Sequence, residues 1–271
     1  MENIIVGFDF STGSANAVDL AIDIANRWHK DIRLVYVKEQ AQDEAPIREE
    51  IERRNAGVAH LLKGIKLEYV IREGVVSTEL TKQAEEDNAS LVIVGTNGMS
   101  GYKRNWMGKN TYRTITDSKV PVLSVREGYN FNKNLDRIVL PLDSTDVTRQ
   151  KVNIAEKFAR TFGSEIHILG LNTSDSKDIR GTVSSFVNQV ARHLAKNNIR
   201  YVTKIVDVPK NLTLTTLEYA SEINADMIVI MTEQEKAISN LLMGTFAQQM
   251  ITDSNIPVVS VRPEQINGAA K

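Results

Sequence analysis

The sequence predicts an α/β fold made of two tandem, doubly wound domains, and three observations support this prediction. Short apolar segments rich in β-branched residues alternate with amphipathic helical segments, which is typical of a parallel sheet covered on both faces. The connections between them are short, as expected for right-handed crossovers. The second half of the chain also repeats motifs of the first half in the same order. We therefore expect each half to form a five-stranded parallel sheet of strand order 3-2-1-4-5.

The internal repeat indicates a tandem duplication with a period of a whole domain. Its domains are predicted at residues 1–130 and 135–265, separated by the polar stretch GYNFNKNL. Four motif pairs carry the repeat at an offset of 134 to 136 residues: VPVLSVRE at 120–127 and IPVVSVRP at 256–263, NIIVGFDFST at 3–12 and RIVLPLDSTD at 137–146, SLVIVGT at 90–96 and DMIVIMT at 226–232, and WMGK at 106–109 and LMGT at 242–245.

The elements follow from hydrophobic periodicity. A first helix, with Ser11 or Thr12 as its N-cap, follows strand 1, and a second helix is predicted over about 46–63. In the second half, Gly163 is the expected C-cap of the first helix. Strands are predicted near 3–8, 32–37, 66–71, 90–95 and 121–125 in the first half, and near 137–142, 165–171, 200–206, 226–231 and 257–261 in the second.

The predicted strand order places a ligand site between strands 1 and 4. Open α/β sheets bind ligands beyond the C-terminal ends of the strands, where the winding reverses direction. Strand 1 ends at Asp9 and strand 4 ends at Gly95. Asp9 either contacts a ligand there or caps the following helix.

The loop after strand 4 has the composition of a phosphate-binding segment. From Thr96 to Lys109 it runs for 14 residues, longer than the roughly 2–6 residues usual for such a connection. Its span carries three basic residues and no acid, and it leads into a helix that begins near Asn110, where backbone N–H groups favour an anion. Four glycines in the stretch, Gly95, Gly98, Gly101 and Gly108, allow positive φ and close backbone approach to a ligand.

Several classes of protein and site are excluded or disfavoured. The net charge of −1 argues against nucleic acid or an anionic membrane as partner, and no cysteine is present for thiolate chemistry. Neither a signal peptide nor a membrane helix is predicted, so a cytoplasmic location is expected. MGKN lacks the spacing and the hydroxyl residue of a P-loop, and GxGxxG is missing after strand 1. His167, in a predicted strand, is expected to be a hydrogen-bonded core residue.

At these residues the chain resembles a tandem universal stress protein. The family's nucleotide-binding signature, Gly-x2-Gly-x9-Gly-(Ser/Thr), is matched by Gly95, Gly98 and Gly108, with Lys109 in place of the hydroxyl residue. The resemblance implies a Rossmann-like fold of the adenine nucleotide alpha hydrolase type and a site for ATP, AMP or ADP, with or without Mg²⁺. The residues that it implies for this site are Asp9, Phe10, Ser11, Val37, Gly95, Asn97, Gly98, Met99, Gly108, Lys109 and Asn110.

The second half departs from the signature, and we expect a degenerate site there. Met231 and Gln234 replace the first two glycines, and the loop has a net charge of −1 against +3 in the first half. A side chain at those positions restricts the backbone, and carboxylates repel a polyphosphate. The residues that correspond to the first site are Asp143, Ser144, Leu171, Gly244 and Thr245.

The sequence favours a nucleotide-binding stress-response protein with one competent site over an enzyme. No pair of nucleophile and base is evident, so at most slow ATP hydrolysis is expected. One alternative is a nucleotide-free interaction protein in which both sites have decayed. An adenylating enzyme on a related fold is disfavoured, because GFDFST has a single glycine after strand 1.

The two closing strands, 121–125 and 257–261, predict how the halves associate. Each ends its own sheet and carries no charge before its final arginine, and an exposed apolar edge of this kind invites pairing. We expect the halves to pair through these strands as an internal pseudo-dimer, within one chain or swapped between two. A further homodimer is optional.

Overall fold

The structure of the 271-residue chain is a computed structural model. The structure describes residues 3–38, 40, 42–96, 108–129, 134–209, 211–232 and 245–263. Its internal contacts divide the chain into two compact units, Met1–Asn132 and Lys133–Lys271, called unit 1 and unit 2 below.

Unit 1 alternates strands and helices throughout its described residues. The alternation gives a central parallel sheet whose connecting helices pack on its faces. Its elements are β1 (Ile4–Gly7), α1 (Thr12–Trp28), β2 (Ile32–Lys38), α2 (Glu44–Val58), β3 (Leu67–Glu73), α3 (Val76–Glu86), β4 (Leu91–Gly95), α4 (Lys109–Asp117) and β5 (Val122–Val125).

The sheet of unit 1 has the predicted strand order. Its strands lie in the order β3-β2-β1-β4-β5, and every pairing between them is parallel. In β1, Ile4 lies between Ile32 of β2 and Leu91 of β4, and all three side chains are fully or almost fully buried. The winding therefore reverses between β1 and β4, and the carboxyl ends of these two strands flank the crevice.

Unit 2 repeats this architecture in its described residues. Its strands lie in the order β8-β7-β6-β9-β10, again parallel, so the predicted order is present in both halves. The elements are β6 (Arg137–Leu142), a 3₁₀ turn (Asp146–Arg149), α5 (Val152–Phe162), β7 (Glu165–Asn172), α6 (Lys177–Lys196), β8 (Tyr201–Asp207), α7 (Leu212–Glu222), β9 (Met227–Met231), α8 (Thr245–Asp253) and β10 (Val258–Val261).

The predicted helix caps are confirmed at both positions. The Ser11 hydroxyl accepts a hydrogen bond from Ser14 N, and Gly163 ends α5 with a left-handed backbone of φ 69°. The predicted helix over 46–63 ends earlier, because α2 stops at Val58 and a 3₁₀ turn follows. The Asn26 side chain binds the main chain just beyond that turn, accepting from Lys63 N at 2.8 Å, and holds this segment out of helical geometry.

Among the described residues, none of the helices is long and apolar enough to cross a membrane. His167 is buried and hydrogen-bonded to Tyr219 at 2.9 Å and Glu165 at 3.1 Å, which confirms its expected place as a satisfied core histidine.

Candidate functional site

A cavity of about 360 Å³ opens in unit 1 where the winding of the sheet reverses. Ligand pockets in proteins usually enclose about 300–1,000 Å³, so this cavity is large enough for a small molecule. It is lined by Gly7, Phe8, Asp9, Ser11, Ser14, Val35, Val37, Val76, Leu80, Val94, Gly95, Gly108, Lys109, Asn110, Thr111 and Thr114.

One wall of the cavity is the turn between β1 and α1. Asp9 Oδ1 accepts hydrogen bonds from Ser11 N at 3.1 Å and from the Ser11 hydroxyl. Ser14 Oγ in turn donates to Ser11 O and accepts from Asp9 N. The local sequence DFSTGS thus builds a hydrogen-bonded turn that starts the helix and keeps a carboxylate at the cavity.

The opposite wall is the start of α4, which is held by both ends of the preceding loop. Gly108 N donates to Thr96 O at 3.0 Å, and the Thr111 hydroxyl donates to Gly95 O at 2.9 Å. Lys109 is the first residue of α4, and its first turn has no acidic residue. A helix N-terminus together with a lysine ammonium gives this wall a positive character that suits an anion.

The rest of the lining is mostly apolar. Val35 and Val37 come from β2, and Val94 from β4. Val76 and Leu80 of α3 complete this side. Their positions did not stand out in the sequence, although the apolar i, i+4 spacing of these two residues on a helix was a visible signal. A flat apolar group fits such a wall better than a charged one.

The structure brings together seven of the residues that the sequence analysis assigned to this site. Phe10 is described but does not line the cavity, and Asn97, Gly98 and Met99 lie outside the described residues. The seven lining residues are Asp9, Ser11, Val37, Gly95, Gly108, Lys109 and Asn110.

The role predicted for Gly95 and Gly108 is partly wrong. Neither has a positive φ. A Cβ at Gly95 would lie 2.6 Å from the carbonyl carbon of Gly13, so this position is glycine because the start of α1 packs directly against the end of β4. The sequence shows the glycine but not its partner, which lies 82 residues earlier in the chain.

Unit 2 forms the same turn after β6. Asp143 Oδ1 accepts from Thr145 N at 3.0 Å and from the Thr145 hydroxyl at 2.6 Å, while Asp143 N donates to Thr148 Oγ1. Each of these hydrogen bonds has its counterpart at Asp9, Ser11 and Ser14.

Three positions around this turn are nevertheless more buried in unit 2 than in unit 1. Asp143 is 4% exposed, Leu171 and Met231 are fully buried, and the counterparts Asp9, Val37 and Gly95 in unit 1 are all partly exposed. Ser144 is partly exposed and Thr245 is exposed, whereas Gly244 lies outside the described residues.

Lys151 lies inside unit 2 with none of its surface exposed, and sequence reasoning missed it. It occupies the position of the buried Ala17 in unit 1, and its Nζ donates to Thr148 Oγ1 at 3.3 Å. Burial lowers the pKa of Lys151 to about 7, while the charge of Asp143 opposes this shift. The signal in the sequence was a lysine directly before the apolar face of α5, on a position where unit 1 carries an alanine.

The described residues of this crevice do not offer a ligand set for a metal ion. Among the described residues, no group of three or more His, Asp and Glu side chains could hold a metal, and Asp9 is the one carboxylate of the described lining.

The fold and the crevice define a class: tandem, open α/β units with a ligand cavity at the point where the winding reverses. The model of the universal stress protein family matches residues 1–126 and 134–262. The chain therefore belongs to the universal stress protein family, with one family domain in each half, as predicted.

Similar proteins agree with this assignment. Universal stress protein YxiE of Bacillus subtilis is 29% identical over 146 residues, which cover 45% of this chain and 97% of that protein. Universal stress protein MJ0531 of Methanocaldococcus jannaschii is 26% identical over 144 residues, covering 46% of this chain and 82% of that protein. The crystal structure of a universal stress protein from Archaeoglobus fulgidus superposes with a TM-score of 0.78 at 20% identity, over 96% of this chain and 98% of that chain.

Proposed function

We propose that unit 1 binds an adenine nucleotide of the ATP type and that the chain acts as a nucleotide-dependent regulatory protein rather than an enzyme. One observation carries this proposal: a single cavity joins an apolar wall to a helix N-terminus that bears a lysine. Nucleotides have the matching pair of parts, a flat base and a phosphate chain.

The base is assigned to the apolar side and the phosphates to α4. Val37 and Leu80 offer apolar contact to an adenine ring, and the Asp9 carboxylate can accept a hydrogen bond from a ribose hydroxyl or a base amino group. Lys109 and the first N–H groups of α4 face the phosphates. Lys109 replaces the hydroxyl donor of the family signature with a full positive charge.

The burial pattern supports one site per chain. In unit 2 the counterparts of Asp9, Val37 and Gly95, which are Asp143, Leu171 and Met231, are buried, and Lys151 is buried near Asp143. We expect this packing to disfavour a nucleotide in unit 2.

Calorimetric titration of the intact chain with ATP, AMP and ADP tests the proposal. We expect saturation at one nucleotide per chain, and mass spectrometry of the purified protein is expected to detect the same ligand. Asp9→Ala removes an acceptor and should weaken binding by about ten- to a hundredfold, since a hydrogen bond to a charged group contributes roughly 1.5–3 kcal/mol.

Lys109→Gln should weaken ATP binding more than AMP binding, because fewer charges remain to be neutralised in AMP. Lys119→Gln is the matched control, since Lys119 pairs with Glu85 and does not line the cavity. Wild-type affinity in both site variants would refute the site assignment. Absence of any nucleotide binding would favour the alternative of a nucleotide-free interaction protein, and steady phosphate release from bound ATP would favour a weak ATPase.

A further inference from the structure

Phe10 has a backbone conformation that its residue type disfavours. Its φ is 64°, in the left-handed region where a residue with a Cβ is strained and a bulky one is uncommon. Strained residues of this kind cluster at functional sites. The other described non-glycine residues with positive φ all lie just after the last residue of a helix, where left-handed caps are common: His29, Asn88, Asn198 and Asn224.

Two aromatic rings hold Phe10 in place. Its ring lies 5.1 Å from that of Phe8 in an edge-to-face arrangement, and 5.1 Å from that of Tyr36 on β2. Such pairs stabilise a fixed ring position beyond simple burial. The ring of Phe10 therefore packs against Phe8 and Tyr36, and Phe10 does not line the cavity.

The residues on either side of Phe10 do line the cavity. Asp9 and Ser11 are part of its wall, and both are partly exposed. Because φ of residue 10 sets the orientation of the peptide that joins it to Asp9, the left-handed backbone decides how this turn faces the crevice.

Unit 2 provides a comparison within the same chain. Ser144, the counterpart of Phe10, has no positive φ, yet the same side-chain hydrogen bonds form between Asp143 and Thr145. The left-handed residue is therefore not needed to make the turn. The two aspartates differ in their exposure: Asp143 is 4% exposed, whereas Asp9 is partly exposed at the cavity.

We infer that Phe10 is a positioning residue, whose left-handed backbone, locked by Phe8 and Tyr36, keeps the Asp9 carboxylate turned toward a ligand in the unit 1 cavity. The part of its test that measures ATP affinity rests on the proposed nucleotide site. It assigns the ability of unit 1 to bind a ligand to the backbone conformation of Phe10, in addition to the glycines predicted for the loop after β4.

Substitutions at residue 10 separate the backbone from the ring. Glycine and asparagine accept a left-handed φ readily, whereas alanine and valine do not, and none of the four keeps the ring. We expect Phe10→Gly and Phe10→Asn to bind ATP within about threefold of wild type, and Phe10→Ala and Phe10→Val to lose about tenfold or more, in proportion to the cost of the left-handed state. Phe10→Tyr keeps the ring and is the matched control.

A second readout does not depend on any ligand. Carbodiimide labelling of the Asp9 carboxyl, measured by peptide mass spectrometry, should stay at the wild-type level in the glycine and asparagine variants and fall in the alanine and valine variants. Thermal unfolding identifies any variant that has lost the fold, and such a variant is left out of the comparison. One folded variant with glycine or asparagine and one with alanine or valine are enough to test whether the left-handed backbone positions Asp9.

The outcomes distinguish this inference from the nucleotide proposal. If wild type binds no nucleotide but Asp9 labelling follows the expected order, the nucleotide proposal fails and the positioning role stands. If all four variants lose affinity and labelling equally, the ring alone matters and the inference is overturned. Unchanged affinity and labelling in all four would overturn it as well.

Discussion

Lys151 makes the free energy of unfolding depend on pH in a direction that can be calculated. Its pKa is about 7 in the folded chain against an ordinary value of 10.5. Because the unfolded chain binds the proton more tightly, stability rises as the pH increases from about 7 to about 10.5 and is flat below that window. Between pH 7 and pH 9 we expect a gain of about 2 kcal/mol from this group.

Lys151→Met tests this expectation, because methionine has a similar length and no charge to bury. The variant should be more stable than wild type at pH 7, and its advantage should shrink toward pH 9. Urea unfolding measures the free energy of unfolding of both proteins at pH 7 and at pH 9. Subtracting the wild-type value from that of the variant at each pH removes the contribution of the titrating groups that the two proteins share. Parallel pH profiles for the two proteins would show that Lys151 keeps an ordinary pKa.

The sequence predicted those residues of the candidate site whose place follows from the order of the strands. Asp9 lies two residues beyond β1 and Gly95 ends β4, the two strands that flank the reversal of the winding, so the doubly wound pattern alone places them together. The contact of Gly95 with Gly13 depends on the distance between two backbones, which a sequence does not show. Lys151 was missed because a lysine before an amphipathic helix usually reaches solvent.

At the scale of elements, α1 and α5 end at equivalent positions with different residues. His29 ends α1 with φ 51°, and Gly163, at the 134-residue offset, ends α5 with φ 69°. Both close their helix through a backbone N–H that donates to an alanine carbonyl, Ala25 in α1 and Ala159 in α5. Histidine is strained in this conformation, and glycine is not.

His29→Gly should therefore stabilise the protein by about 0.5–1 kcal/mol, since the left-handed cap no longer strains a Cβ. Gly163→Ala introduces the same strain in unit 2 and should destabilise by a similar amount. Nothing lies within 4 Å of a Cβ at Gly163, so crowding does not contribute. Equilibrium unfolding in urea measures both, and a destabilising His29→Gly would show that the imidazole ring contributes more than the cap strain costs.

The strands were predicted within one or two residues because the buried parallel strands are continuous apolar runs, such as IIVG in β1 and MIVIM in β9. Helix ends were less predictable where a distant side chain decides them. The end of α2 is fixed by Asn26, which binds Leu61 O and Lys63 N from 35 and 37 residues away. The 3₁₀ turn before α5 has a similar origin, because Val147 and Met231 stand where unit 1 has the Gly13–Gly95 contact.

At the scale of the whole molecule, the duplication gives each unit a closing strand. Within unit 1, β5 pairs with β4, and within unit 2, β10 pairs with β9. The closing strand of a sheet is the place where a further strand can be added. Neither VLSV nor VVSV carries a charge or an internal proline that would protect this edge.

Pairing of β5 with β10 would cover both edges at once, and the connection permits it. The roughly ten residues that connect β5 with β6 span up to about 33 Å when extended, enough to cross such an interface. The pairing would make one chain a pseudo-dimer with approximate twofold symmetry, or would join two chains by exchange of halves.

Cysteine cross-linking can test this pairing cleanly, because the natural chain contains no cysteine. Leu123→Cys is combined in turn with Val258→Cys, Val259→Cys and Ser260→Cys, which sample successive registers of two adjacent strands. Under mild oxidation we expect at least one combination to form a disulfide at high yield, since neighbouring strands place Cα atoms within the 4.4–6.8 Å that a disulfide requires. Leu123→Cys with Glu218→Cys on the exposed side of α7 is the control. Non-reducing electrophoresis separates a cross-link within one chain from one between exchanged halves, whereas yields no higher than the control in all three combinations would show that the units do not meet through these strands.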